Sequence, residues 1–202
     1  MIIFAIIQLF LFVVLFPVVV AAVAGLMDSI NELGHSALFF LWGGGLYVLL
    51  CLFLNPLQGL YRFVQRIFAD ILRFSPFFSR NIPLFVPILP VLFLFILYIL
   101  KSFGKPGALT DYIIFAVGFF LAMHLVLAAK DIFEEDASSF KAHYLFMMGC
   151  VVVVAVSLTV LLLDLNFKSI KIMDYLQGGI AKVQDIYRDA GDVVTFAKKN
   201  RH

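Results

Sequence analysis

The sequence predicts an all-α fold: a polytopic membrane helix bundle. About five transmembrane helices are expected, joined by an interfacial amphipathic helix and followed by a C-terminal amphipathic, heptad-patterned helix. Three observations predict this. Of 202 residues, 63% are hydrophobic and only 14% charged, where a soluble domain carries about a quarter charged residues. Mean hydropathy is +1.06, so polar side chains are too few to cover a water-soluble core, and hydrocarbon must be the main solvent. Finally, five long apolar runs alternate with polar stretches, two of which keep a helical apolar period.

Residues 2–26 form the first run, with only Gln8 and Pro17 interrupting it. It lacks the basic start of a signal peptide and is longer than a signal core, so it reads as a retained membrane helix. Residues 36–55 form the second, broken by "WGGG" at 42–45, where glycines allow close helix contact or mark a bend. Residues 57–80 change character. Leu60, Phe63, Val64, Ile67, Phe68, Ile71 and Leu72 recur every three or four positions, while Arg62, Arg66 and Arg73 take the other face. Such a helix lies in the membrane interface, with Arg62, Arg66, Arg73 and Arg80 toward the headgroups. Residues 82–102 form the third run; Pro83, Pro87 and Pro90 crowd its start, and the later two should kink it or loosen its first turns. Residues 111–133 and 142–165 supply the last two. Cys51 and Cys150 lie inside apolar runs and read as small hydrophobes.

The chain divides into a transmembrane bundle, 1–167, and a helical tail, 168–202. In the tail Met173, Leu176, Ile180, Val183, Tyr187, Ala190, Val194 and Ala197 are spaced 3, 4, 3, 4, 3, 4, 3. That is a heptad seam, and it needs a cover: a partner helix, a second copy, or the membrane surface. Met173, Leu176, Ile180, Val183, Tyr187 and Val194 are therefore candidate partner-binding residues. Protein contact is favoured, because Asp185, Asp189 and Asp192 dilute the basic face that a lipid-bound helix would show. Five spans put the loop arginines and the basic tail on opposite sides, although the positive-inside rule wants both in the cytoplasm. The reading taken is a cytoplasmic tail.

The polar joint "SINELGHSAL", residues 29–38, has two readings. Ser29-x-x-Glu32, with Asp28 beside it, matches a capping box at a helix start. The same stretch approaches the His-Glu-x-x-His zinc motif, with Glu32 and His35 in place and Asn31 where the first histidine belongs. "NELGHSALFFLWGGG" resembles the first motif helix of the site-2-protease family of intramembrane metalloproteases, and "AVGFFLAMHLVLAAKDIF" is loosely similar to a later helix of some members. The resemblance implies zinc as cofactor, His35 as a ligand and Glu32 as general base. It also implies damage, since "NPLQG" at 55–59 lacks the aspartate of the family's Asn-Pro…Asp-Gly helix. A pseudoprotease is then expected.

His124 sits in mid-span, where a polar side chain turns inward. It could rescue the zinc site as a further ligand or relay protons, or simply hydrogen-bond neighbouring backbone. No complete catalytic set, phosphate loop or chain of intramembrane carboxylates is visible, and a net charge of +2 gives no reason to expect nucleic acid. The favoured expectation is a non-catalytic integral membrane subunit, partnered by the lipid bilayer and by other membrane proteins or its own copies. The alternatives are a site-2-protease-like protein and a small transporter or channel component.

Overall fold

The computed structural model describes residues 2–54, 58–71, 83–104, 107–135, 141–167, 170 and 172–199. In chain order the helices are α1 (Ile2–Asn31), α2 (His35–Leu54), α3 (Gln58–Ile71), α4 (Ile88–Ser102), α5 (Leu109–Glu135), α6 (Ala142–Asn166) and α7 (Ile172–Lys199). Among the described residues there is no strand. Four of these helices, α1, α2, α5 and α6, are long and apolar enough to cross a membrane. They mark the chain as a membrane protein.

The third predicted run is shorter in the structure than in the sequence. Pro83–Phe85 form a helical turn, Val86 bends, and α4 starts only at Ile88. Proline has no N–H to donate, so the helix regains its ladder at Val91, whose N–H donates to the Pro87 carbonyl at 3.0 Å. With 15 residues, α4 spans about 22 Å, less than a hydrocarbon core of about 30 Å.

The capping box expected at Ser29 does not form. α1 continues through Ser29 to Asn31, and Ser29 Oγ donates back to the Gly25 carbonyl at 2.9 Å. The apolar period of α1 runs on to Ile30, which is fully buried, so the helix gains burial by passing Ser29. The reversal falls on Gly34, at φ +60, the left-handed conformation that glycine adopts without a Cβ clash. Ala37 N–H then donates to the Gly34 carbonyl as α2 begins.

The closest packing is between α2 and α5, which run parallel. A Cβ on Gly43 would overlap the Phe115 carbonyl, and a Cβ on Gly118 would overlap the Phe40 carbonyl. Two glycines thus let the two backbones touch, each opposite a residue one turn from the other glycine. At one end of this pair Ser36 Oγ donates to Asp111 Oδ1 at 2.5 Å. Toward the other end the Tyr47 ring meets Phe119 edge-on at 5.2 Å. These will be called the Ser36 end and the Arg62 end, after residues of α2 and α3.

The remaining helices build on that pair. α1 and α6 lie parallel, with Gln8 hydrogen-bonded to His143 and Leu15 seated on Gly149. α4 fills the space between α5 and α6. Phe93 stacks on Phe120, Asn166 Nδ2 donates to the Leu94 carbonyl at 3.2 Å, and Lys101 Nζ donates to the Asn166 carbonyl at 2.5 Å. Leu94, Leu97, Ile114, Val117, Val156 and Val160 make the centre of the core. Outward, α1 presents Phe4, Ile7, Phe10 and Val14, and α2 presents Trp42, Leu49 and Leu52, the apolar surface expected of a lipid-facing bundle.

Gly43→Val is predicted to force α2 and α5 apart and to cost about 3 kcal/mol or more, at the top of the range for overpacking. Gly45→Ala, where a Cβ meets nothing within 4 Å, should leave stability unchanged or raise it by up to about 1 kcal/mol through helix propensity. Unfolding of both variants in mixed micelles measures the difference.

Candidate functional sites

The two parts of the zinc-like motif separate in space. Glu32 lines a small polar pocket of about 80 Å³ with Asp28, Ser29, Asp174 and Lys182. His35 faces elsewhere, edge-on to Phe39 at 5.3 Å, in an apolar groove with Leu38, Trp42, Tyr112 and Phe115. His124 is far from both. Ser36, next to His35, is bonded to Asp111, and Asp111 lies thirteen residues before His124 on α5, about 20 Å of helix. The structure therefore does not bring His35 and His124 to one ion. Among the described residues no group of three His, Cys, Asp or Glu side chains is placed to hold a metal.

His124 is buried near the Arg62 end, 3% exposed. The backbone of Phe85 and Leu84 hydrogen-bonds its ring, so the turn at Pro83–Phe85 supplies the backbone partners that a mid-span histidine needs. Tyr61 from α3 lies beside it, with ring centroids 5.9 Å apart. Burial, and then the nearby Asp131 carboxylate, hold the Tyr61 phenol well above its usual pKa. Tyr61 therefore stays neutral and keeps its proton to donate. Above this layer Arg62 approaches Asp131 at 4.0 Å.

The apolar side of α3, one face in the sequence, divides into two. Tyr61 is buried, and Val64 and Gln65 line a cavity beside His124. Leu60, Phe63, Ile67 and Ile71 stay exposed on the neighbouring sector. Arg62, Arg66 and Asp70 take the third, polar sector and are exposed. A helix in the interface meets protein, hydrocarbon and water at once, and each sector suits one of them. Arg73 and Arg80 fall outside the described residues.

The tail shows the same threefold division. α7 turns back from the Ser36 end and runs antiparallel along α1. Tyr175 packs on Gly25, where a Cβ would come within 2.7 Å of the ring, and its hydroxyl bonds Ser157 Oγ at 3.0 Å. Farther along, Lys182 Nζ pairs with Asp28 Oδ2 at 2.6 Å, and Tyr187 Oη donates to the Val14 carbonyl at 2.6 Å. Tyr175, Gly179, Val183 and Ile186 share the side nearest α1 and α6, by their helical spacing and partial or full burial. Met173, Leu176, Ile180 and Tyr187 are 45–58% exposed, and Leu176, Ile180 and Val183 rim an open groove against Val18, Ala21 and Val153. Val194 lies on α7, its side-chain surroundings outside the described residues.

Sequence reasoning missed Tyr175. It stands one position off the heptad seam, beside Leu176, and its partners Gly25 and Ser157 are distant in the chain. The only available signal was a large aromatic on the flank of a long amphipathic helix.

Comparison with protein-family models, with curated proteins and with solved structures finds no match to this chain.

Tyr175→Ala should cost about 3 kcal/mol, as for a large buried aromatic truncated to alanine, and should free α7 from the bundle. Limited proteolysis in detergent would then cleave within 176–189 faster than in the unaltered chain. Tyr175→Phe, which removes only the hydrogen bond to Ser157, should cost about 1 kcal/mol and leave α7 docked.

Proposed function

We propose that this chain is a non-catalytic integral membrane subunit, which assembles with other membrane proteins through its bundle and its C-terminal helix. The observation that carries this reading is the course of α7. It runs along α1 from Gly25 to Val14, at the depth of a helix apolar enough to span, yet it carries Asp174, Lys182, Asp185, Arg188 and Asp189. A polar face in hydrocarbon is expensive and needs protein or water beside it. Next to that face the heptad stripe Met173–Leu176–Ile180–Tyr187 is open, and a heptad stripe is the surface that a second helix covers. One side of α7 is thus spent on its own bundle, and the others are left for a partner.

In the same reading α4, extended by the turn at Pro83–Phe85, is the fifth crossing. It leads from the His124 level near the Arg62 end to Lys101 and Asn166 at the Ser36 end. The return of α7 then resolves the conflict of charges. Helix α7 has 28 residues, about 42 Å, enough to carry its last basic residues, Lys198 and Lys199, back to the side of Arg62 and Arg66. Both basic groups then lie on the cytoplasmic side, as the positive-inside rule asks. The resemblance to intramembrane metalloproteases gains no support from the distance between His35 and His124.

Leu176→Asp combined with Ile180→Asp puts two carboxylates on the open stripe without touching Tyr175. The double variant should keep its fold and its membrane insertion but lose most of what co-purifies with the chain in mild detergent. Unchanged co-purification would reject the seam as the contact. A reporter fused after His202 should respond from the same side as one placed in the loop that follows α3. Responses from opposite sides would rule out the return of α7 across the membrane.

A further inference from the structure

Two buried polar atoms lie near each other at the Arg62 end without a protein partner, Tyr61 Oη and His124 Nε2; Tyr47, in the neighbouring layer, has Cys51 beside its hydroxyl. All three residues are at least nine-tenths buried, at 4%, 3% and 0% exposure. They come from α3, α5 and α2, and Tyr47 and Tyr61 share one cluster with Met123 and Leu127. Buried polar groups are as a rule hydrogen-bonded, so the pair Tyr61 and His124, left unpartnered, points to a ligand. Beside them is a cavity of about 10 Å³, lined by Tyr61, Gln65, Pro83 and His124 with apolar Val64 and Leu89. A space of that size holds one water and nothing larger.

The protonation pattern fits. The ring of His124 already donates to backbone carbonyls of Leu84 and Phe85 through its other nitrogen. That nitrogen therefore carries the hydrogen, and Nε2 is left as a lone-pair acceptor. Tyr61 offers a hydroxyl hydrogen. With the two rings 5.9 Å apart, a molecule that both accepts and donates can close the gap, and water does both. At the edge of the same cavity Gln65 Nε2 donates to the Pro83 carbonyl at 3.2 Å.

We propose that the space between Tyr61 and His124 is a binding site for a single water, which accepts from Tyr61 Oη and donates to His124 Nε2. The water ties three separate pieces of chain to one another: the interfacial helix α3, the turn at Pro83–Phe85, and the middle of α5. It also gives His124 a reason to sit in mid-span that needs neither metal nor catalysis.

The test is water-edited solid-state NMR on ¹⁵N-histidine-labelled full-length chain in deuterated lipid bilayers. The chain has four histidines, and His124→Phe assigns the signal. Fast magnetisation transfer from water to the His124 ring, with an Nε2 shift typical of a hydrogen-bonded acceptor, is expected. In Tyr61→Phe the transfer should slow several-fold, because the water loses its donor. Two results would overturn the proposal: no transfer in the unaltered chain, or an Nε2 bonded directly to Tyr61. The unaltered chain alone decides the matter if either variant fails to fold.

Discussion

The structure depends on one contact: the backbone-to-backbone crossing of α2 and α5 at Gly43 and Gly118. In hydrocarbon there is no hydrophobic force to press two helices together, since lipid tails are as apolar as leucine. What is gained comes from close dispersion contact, and that falls off steeply with any gap. The two glycines remove the side chains that would otherwise meet the Phe40 and Phe115 carbonyls. Fixing this crossing fixes the levels of everything on α5. Asp111 reaches Ser36 at one end, and His124 meets Tyr61 toward the other. The same register keeps His35 and His124 apart. The fold's tightest contact is thus also what separates the two histidines of the zinc-like reading.

On this frame two amphipathic helices solve a three-solvent problem in the same way. Helix α3 gives Tyr61 to the bundle, Phe63 and Ile67 to an apolar exterior, and Arg62 and Arg66 to a polar one. Helix α7 gives Tyr175 to the bundle and leaves Leu176 and Ile180 exposed beside a polar face. In each, one large aromatic is the anchor. A tyrosine suits the task because its ring packs like a core residue while its hydroxyl finds a polar partner. The difference lies in depth. α3 sits near the end of α5 where Asp131 lies, while α7 carries its charges alongside α1.

Much of the fold was legible in the sequence, because the lipid solvent writes itself into composition. The four helices long enough to cross follow directly from run lengths, and the prolines at 87 and 90, expected to loosen the start of the third run, lie where α4 begins. The capping box at Ser29 misled, since a local motif lost to the burial of Ile30 and the φ freedom of Gly34. The apolar period of α3 was visible, but not its division between bundle and exterior, which depends on where α5 lies. The heptad seam of α7 was legible as a pattern. That its neighbour Tyr175, besides the seam residues Val183 and Tyr187, would hold the helix to the bundle rests on Gly25 and Ser157, contacts 150 and 18 residues away along the chain. His124 could be read as an inward-facing polar group, whereas its companions Tyr47 and Tyr61 gave no sign, since tyrosines are common at membrane boundaries.

The glycine crossing can be seen directly. A chain labelled at glycine Cα and phenylalanine carbonyl carbons, reconstituted in lipid bilayers, reports both halves of the contact in one ¹³C–¹³C correlation spectrum. Cross-peaks joining Gly43 to Phe115 and Gly118 to Phe40 are predicted at long mixing, weaker than the sequential Phe103–Gly104 pair but clear of the noise. If both are missing while that sequential peak is present, α2 and α5 do not touch through their backbones, and the arrangement built on them is wrong.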